Sequence, residues 1–110
     1  MKIVVFGAGA VGGHVAARLG AAAEAAGIEV AAVARGEQLA AIEARGLTLW
    51  IGEQRYSARI HATDRPETLG VQDVVFVALK SSVLPDAAPA LAPLIGPETS
   101  VVFAMNGIPP

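Results

Sequence analysis

A glycine cluster directly after a short apolar segment constrains this chain more than any other feature of its sequence. The chain opens Met1-Lys-Ile-Val-Val-Phe-Gly-Ala-Gly-Ala-Val-Gly-Gly13. Lys2 to Phe6 are too few for a helix, and after the lysine they are β-branched or aromatic, which predicts a strand. Val11 to Ala26 is Ala-rich with helical spacing and ends at Gly27, a favourable helix-terminating residue. The N-terminus is therefore predicted to run from a strand through a glycine turn into a helix.

The glycines have the G-x-G-x-x-G spacing of a dinucleotide-binding turn, with Gly7, Gly9 and Gly12 in the three positions. Gly7 permits a tight turn, Gly9 lets the backbone approach a pyrophosphate, and Gly12 lets the helix pack closely on the strand. The free N–H groups and the positive dipole end of the helix bind an anion without a basic side chain. The predicted phosphate-binding residues are Gly7, Ala8, Gly9, Ala10, Val11 and Gly12.

Composition excludes several classes of protein. Hydrophobic residues make up 54% of the 110 residues, but much of this is alanine, and Arg18, Glu24 and Glu29 interrupt the longest apolar region, which argues against a membrane span. A secretory leader is disfavoured because glycines interrupt the apolar run and a single lysine precedes it. The chain has no cysteine, its net charge is -2, and its basic residues are scattered. We expect one cytoplasmic domain with no metal site and no nucleic-acid or membrane partner.

The end of the second strand bears on the choice of cofactor. Ile28 to Ala34 is predicted as that strand, which completes a βαβ unit. Sites that prefer NAD usually carry an acid at its carboxyl end, whereas an arginine there pairs with the 2′-phosphate of NADP. The sequence is Ala34-Arg35-Gly36, without an acid, so Arg35 predicts NADP (NADPH) and Gly36 leaves room for the phosphate. An ordinary solvent-exposed loop arginine is the alternative.

A change of periodicity predicts a hairpin after the second helix. Gly36 to Arg45 has the pattern of a short amphipathic helix stopped by Gly46. Alternation from Leu47 to Ile51 and from Tyr56 to His61, across a glycine-containing turn, then predicts two antiparallel strands.

Two further apolar runs, Asp73 to Leu79 and Val101 to Met105, predict buried parallel strands. Residues 62–72 are predicted to form a polar connection with one helical turn. A helix from about Pro85 to Leu94 is expected to be short or irregular, because it contains internal prolines.

Lys80 and Asn106 follow these two runs. The carboxyl ends of parallel strands form the edge where open α/β sheets bind ligands, so both residues are candidate site residues. A lysine that simply leaves the core for solvent is the alternative for Lys80.

Together these features resemble the N-terminal domain of the ketopantoate reductase (2-dehydropantoate 2-reductase) family, NADPH-dependent enzymes of pantothenate (coenzyme A) biosynthesis. The resemblance rests on the opening residues 2–13, Ala34-Arg35-Gly36, Gly46-Leu47 before the hairpin, Asp73 to Lys80, and Asn106-Gly107-Ile108. The predicted fold is accordingly a Rossmann-type, doubly wound parallel sheet in the order 3-2-1-4-5 with an added β-hairpin.

The resemblance also implies roles for single residues. Gly7 to Gly12 would hold the pyrophosphate, Arg35 the 2′-phosphate and Lys80 the cofactor, while Asn106 would lie on the nicotinamide side with the substrate close by. The implied reaction is hydride transfer from NADPH to the 2-keto group of a small acid.

Departures from the family set limits on that expectation. Family members are much longer, and a helical C-terminal domain supplies their catalytic lysine and a substrate-binding glutamate. We therefore expect residues 1–110 to be a truncated NADP-binding Rossmann domain without catalytic residues and without the sixth strand. Met105 replaces the usual glutamine before Asn106-Gly107, which leaves open a paralogue that reduces another keto acid. A non-catalytic dinucleotide-binding or sensing module is the remaining alternative. The expected partners are a keto acid and the chain's own C-terminal domain, and a homodimer stays open.

Overall fold

A computed structural model of the chain describes residues 1–7, 10–79 and 84–103. It contains a five-stranded parallel sheet and a separate two-stranded antiparallel hairpin. The strands are β1 (Lys2–Phe6), β2 (Glu29–Val33), β3 (Leu47–Ile51), β4 (Gln54–Ala58), β5 (His61–Thr63), β6 (Val74–Val77) and β7 (Ser100–Phe103). The α-helices are α1 (Ala10–Ala26), α2 (Gly36–Arg45) and α3 (Leu84–Leu91). Short 3₁₀ turns occupy Pro66–Thr68 and Ala92–Leu94.

The sheet has the spatial order β5-β2-β1-β6-β7. Counted along the chain without the hairpin, this is the predicted order 3-2-1-4-5, and the predicted fold class is confirmed. The central strand β1 pairs in parallel with β2 on one side and with β6 on the other, so Ile3 lies opposite both Val30 and Val74. Burial on both faces explains why β1 is a continuous apolar run after its lysine.

The third strand of the sheet corrects the prediction for residues 56–72. The hairpin ends at Ala58 and does not extend to His61, which instead pairs with Ala31 of β2 as the first residue of β5. This strand has only three residues, and Ala62 is its one buried side chain. Three residues are too few to show the hydrophobic alternation that identifies a strand in a sequence, so only the pairing with β2 identifies this strand. The predicted helical turn in this connection is present at Pro66–Thr68.

The ends of the predicted helices agree closely with the structure. Gly27 and Gly46 follow α1 and α2 with φ of 68° and 71°, the left-handed region that glycine favours. The last helix is irregular, as its prolines predict, since α3 ends at Leu91 and a 3₁₀ turn follows. The last strand ends at Phe103, and the remainder of its predicted range, residues 104–105, lies outside the described residues.

Each face of the sheet carries its own core. On one face, Val4, Val75 and Val77 are fully buried and pack with Leu91 and Leu94 from α3 and the turn after it. On the other face, Ile42 of α2 packs with small side chains of the sheet, which are Ala32, Ala34 and Ala62. Val5 lies opposite Ala32 on this second face. Helices thus cover the sheet from both sides, as a doubly wound fold requires.

The amino ends of three strands are tied together at Asp73. The Lys2 N–H donates to Asp73 Oδ2 at 2.7 Å, and the Asp73 N–H donates to the Lys2 carbonyl at 2.8 Å. The Ser100 N–H donates to the Asp73 carbonyl at 3.0 Å. These bonds hold β1, β6 and β7 in one register, and the opposite, carboxyl edge is aligned as a result.

The hairpin lies against α1. The guanidinium carbon of Arg18 is 5.1 Å from the centroid of the Tyr56 ring, within the range of a cation–π contact. A Cβ added at Gly20 would lie 2.7 Å from both Ala58 Cβ and Ile60 Cγ2. Gly20 therefore sets how closely the helix and the hairpin approach. None of the helices in the described ranges has the length and apolarity needed to cross a membrane.

We expect Gly20→Val to lower the free energy of unfolding by about 2 kcal/mol or more, because the added side chain has no space between α1 and Ala58. Ala21→Val is the matched control, since Ala21 is the exposed neighbour of Gly20 on the same helix. In the control, the free energy of unfolding should fall only by the lower helix propensity of valine, about 0.5 kcal/mol. Urea unfolding followed by circular dichroism measures both variants, and equal losses would contradict this account of the α1–hairpin contact.

Candidate functional site

A cavity of about 270 Å³ opens at the carboxyl edge of the sheet. Its volume is close to the lower end of the range for small-molecule sites, roughly 300 Å³. The carboxyl edge of an open parallel sheet is also where such folds bind ligands. The cavity is lined by Phe6, Gly7, Val33, Ala34, Arg35, Gln38, Asp64, Pro66, Leu79, Asp86, Ala87 and Ala90.

Gly7 begins the turn that leaves β1. Its φ is 98°, and its N–H donates to the Val33 carbonyl at 2.9 Å, which ties the turn to the end of β2. A Cβ at this position would lie 2.8 Å from the Ala78 carbonyl oxygen and 2.9 Å from Leu79 Cδ2. Both the backbone conformation and the neighbouring strand end therefore require glycine here.

Gly12 brings α1 against the same turn. A Cβ at Gly12 would overlap the carbonyl oxygen of Gly7, and it would lie 2.8 Å from the Gly7 carbonyl carbon and 3.1 Å from Ala78 Cβ. The close helix packing expected of Gly12 is thus present in the structure. The N-terminus of α1 is consequently held directly beside the carboxyl end of β1.

The start of α1 favours an anion. The helix begins at Ala10, and Ala10 and Val11 belong to its first turn, which contains no acidic residue. The first N–H groups of a helix lack partners within the helix, and no carboxylate of this turn opposes the positive end of its dipole. Ala8 and Gly9, the other two residues predicted to hold phosphate, lie outside the described residues.

Arg35 lies at the carboxyl end of β2, as predicted, and lines the cavity. It is the residue before α2, its backbone is extended with φ of -148°, and its side chain is exposed. Gly36 follows with φ of 61°, and no atom comes within 4 Å of the place where its Cβ would be. Open space therefore adjoins the backbone that follows Arg35, whose exposed side chain lines the cavity.

Lys80 and Asn106, the remaining predicted site residues, lie outside the described residues. Leu79, which precedes Lys80 in the sequence, lines the cavity. The roles expected of Lys80 and Asn106 stay predictions.

Three polar residues that line the cavity were not predicted as site residues from the sequence: Gln38, Asp64 and Asp86. Gln38 lies in the first turn of α2, which begins directly after Arg35, and that predicted helix start would have identified it. Asp64 follows β5, and it could not be assigned to this edge while β5 itself was unrecognised. Asp86 lies in the first turn of α3, and its place on the same cavity as Arg35 depends on how α3 packs on the sheet.

The sheet order, the glycine turn between β1 and α1, and the arginine after β2 define a Rossmann-type domain, the α/β class that binds dinucleotides at this edge. Within that class, the chain belongs to the ketopantoate reductase PanE/ApbA family, whose model matches residues 3–109. The cofactor class implied by this family is a nicotinamide dinucleotide.

Relatives agree with this membership. A 2-dehydropantoate 2-reductase from Mesorhizobium japonicum is 45% identical over 109 residues, which cover 99% of this chain and 32% of that protein. A crystal structure from Ralstonia solanacearum MolK2, assigned as a ketopantoate reductase, is 45% identical with a TM-score of 0.84, over 97% of this chain and 32% of that one. D-mandelate dehydrogenase, solved with NADH and anilino(oxo)acetate, is 26% identical with a TM-score of 0.77, over 99% and 35%. The chain thus spans about a third of the length of these relatives.

We expect Gly12→Ala to destabilise the chain by about 2–3 kcal/mol, because the added Cβ must push α1 away from the Gly7 carbonyl. Gly27→Ala is the control, since Gly27 has a φ of 68° but open space around its Cβ position. It should cost only the strain of a left-handed alanine, about 1 kcal/mol. Urea unfolding compares the two variants, and a Gly12→Ala effect no larger than that of Gly27→Ala would show that the helix and the turn are not in contact.

Proposed function

We propose that this chain is the cofactor-binding part of an NADPH-dependent reductase that converts 2-dehydropantoate to pantoate. The observation that carries the proposal is the position of Arg35 at the carboxyl end of β2, beside open space at Gly36 and on the wall of the cavity. The 45% identity to a 2-dehydropantoate 2-reductase supports the choice of substrate.

The pyrophosphate is proposed to lie against residues 7–12. Gly7 and Gly12 bring the first N–H groups of α1 next to the end of β1, a close approach that a side chain at either position would prevent. The helix supplies N–H donors and a partial positive charge to the two bridged phosphates. No basic side chain is needed at this point, so the basic residues remain available for other parts of the cofactor.

The 2′-phosphate is proposed to pair with Arg35. A guanidinium group presents a planar fork of N–H donors, which matches two oxygens of a phosphate in bidentate geometry. The 2′-hydroxyl of NADH offers no charge to this fork. Arg35 would therefore favour NADPH, and the absence of an acid in Ala34-Arg35-Gly36 removes the usual acceptor for a free 2′-hydroxyl.

Lys80 and Asn106 are proposed to contact the cofactor as well. In the sequence, Lys80 comes soon after β6, and Asn106 comes soon after β7. Both strands run parallel to β1, so their carboxyl ends belong to the edge that carries the cavity. We assign Lys80 to the cofactor, and Asn106 to the nicotinamide and the adjoining substrate.

In the proposed reaction, the C2 carbonyl carbon of the keto acid gains a hydride that bound NADPH supplies, and its oxygen gains a proton. The residues of this chain bind the dinucleotide and orient it. The glycine turn and Arg35 bind the pyrophosphate and the 2′-phosphate of the dinucleotide. The nicotinamide then points toward the carboxyl ends of β6 and β7. We place the proton donor and the main substrate contacts in a C-terminal domain of the full-length protein, for which the greater length of the relatives leaves room.

A second candidate is a reductase of another 2-keto acid. Met105 stands where the resemblance leads us to expect a glutamine, next to the proposed substrate contact Asn106. The structural similarity also extends to D-mandelate dehydrogenase, whose structure contains anilino(oxo)acetate. Turnover of 2-dehydropantoate and of phenyl-substituted 2-keto acids by the full-length protein separates the two candidates. A non-catalytic sensor would reduce neither.

Titration with NADPH and NADH tests the cofactor assignment. We expect Arg35→Ala to weaken NADPH binding about tenfold or more and to leave NADH nearly unchanged. A hydrogen bond to a charged group contributes about 1.5–3 kcal/mol, and a factor of ten corresponds to about 1.4 kcal/mol. The exposure of Arg35 puts the effect at the lower end of that range. Arg45→Ala, at the far end of α2, is the control and should alter neither titration. Equal losses for NADPH and NADH in Arg35→Ala would contradict the 2′-phosphate assignment.

The 110-residue chain alone should not oxidise NADPH in the presence of 2-dehydropantoate, because the proton donor is assigned to another part of the protein. Loss of NADPH fluorescence over time measures this, with free NADPH and keto acid as the background. A rate above that background would refute the assignment of the catalytic groups.

A further inference from the structure

The charges around the cavity determine which part of a dinucleotide it suits. Two carboxylates, Asp64 and Asp86, line the same cavity as the Arg35 guanidinium. Carboxylates repel phosphate, so the phosphate is assigned to the Arg35 guanidinium and not to either acid. The rest of the cavity has apolar walls, which include Val33 and Leu79, together with the two carboxylates, which only accept hydrogen bonds, and the Gln38 amide, which both donates and accepts. A flat, uncharged group with a hydrogen-bond donor on its edge fits this combination.

The position of Asp64 places it next to Arg35. Strands β2 and β5 are neighbours, with Val33 opposite Thr63, and the Ala34 N–H donates to the Thr63 carbonyl at 3.0 Å. Asp64 is the first residue beyond β5 and Arg35 is the second beyond β2, so both leave neighbouring strand ends, and paired strands lie about 4.8 Å apart. In NADPH the 2′-phosphate and the adenine are attached to neighbouring carbons of one ribose. A phosphate held at Arg35 thus leaves the base within reach of the Asp64 side.

The loop that carries Asp64 is held by its own hydrogen bonds. The Arg65 N–H donates to Thr63 Oγ1 at 3.0 Å, and Thr68 Oγ1 donates to the Arg65 carbonyl at 2.7 Å. Pro66 is buried and also lines the cavity. The exposed Asp64 side chain therefore projects from a hydrogen-bonded turn, and little backbone entropy is lost when its carboxylate receives a hydrogen bond.

Resting on the proposed function, we propose that Asp64 is a specificity-determining residue whose carboxylate accepts a hydrogen bond from the 6-amino group of adenine. Adenine carries an N–H donor at this position, whereas hypoxanthine carries a carbonyl oxygen there and has its N–H donor on the neighbouring ring atom N1. Facing a carboxylate, that oxygen loses the bond and is repelled as well. The site therefore selects the base of the dinucleotide at Asp64, independently of the 2′-phosphate at Arg35.

Asp86 does not take this role. It lies in the first turn of α3, where a carboxylate is stabilised by the helix dipole without any ligand. It also comes from a different element than the strand ends that hold the ribose side. Asp86 is therefore a matched control, because it is an acid that lines the same cavity and loses the same charge on mutation to asparagine.

The test compares NADPH with reduced nicotinamide hypoxanthine dinucleotide phosphate, each titrated into this chain and followed by nicotinamide fluorescence. We expect the unmodified chain to bind NADPH about tenfold more tightly than the hypoxanthine analogue. In Asp64→Asn the preference should fall to about twofold or less, because an amide also donates to the 6-oxo group. In Asp86→Asn both affinities should change by the same factor, which preserves the preference.

The outcomes separate this inference from the function on which it rests. Equal binding of the two dinucleotides by the unmodified chain would overturn the inference and leave the NADPH assignment intact. An Asp64→Asn variant that weakens both dinucleotides equally would also overturn it, and would show that Asp64 acts through Arg35. Failure of the folded chain to bind NADPH at all would overturn both. Circular dichroism of each variant shows whether it is folded.

Discussion

The contact between the start of α1 and the turn after β1 is the constraint on which the rest of this structure depends. The Gly12 Cα lies against the Gly7 carbonyl, and Gly7 in turn lies against the end of β6 at Ala78 and Leu79. Three elements therefore meet at a point where side chains are sterically excluded. Because the chain has no Cβ at these two positions, a helix terminus can lie directly at the sheet edge, and the sheet edge becomes an anion-binding surface.

Packing on both faces holds that edge in place. The large buried side chains come from the sheet and from α3 with its following turn, while the α2 face is built from alanines and Ile42. Small residues on this second face let the helices approach the sheet closely. At the opposite edge, the hydrogen bonds of Asp73 fix the amino ends of β1, β6 and β7. This packing and these hydrogen bonds also align the carboxyl ends of the strands, where the cavity opens.

At the carboxyl edge of the sheet, separate elements supply different chemical groups. The helix terminus supplies backbone donors, the end of β2 supplies a cation, and the loop after β5 supplies an acceptor. These groups are distant in sequence, and the parallel pairing of the strands brings them to one edge. Such a division suits a dinucleotide, whose phosphates, sugar and base differ in charge and hydrogen bonding. It also gives an acidic residue a place in a site assigned to an anionic cofactor, since Asp64 is assigned to the base and Arg35 to the phosphate.

The sequence by itself determined the elements whose signals are local. The bounds of β1 and α2, the helix ends at Gly27 and Gly46, the roles of Gly7 and Gly12 and the place of Arg35 after β2 agree with the structure. These signals are local, because steric and periodic rules act over a few residues. Only the tertiary structure decided that His61–Thr63 is a strand of the main sheet and that Asp64, Gln38 and Asp86 share a cavity with Arg35. A three-residue strand has too few residues for a periodic pattern, and its stability comes from hydrogen bonds to β2. Contacts between residues far apart in the chain depend on strand order, which no local pattern encodes.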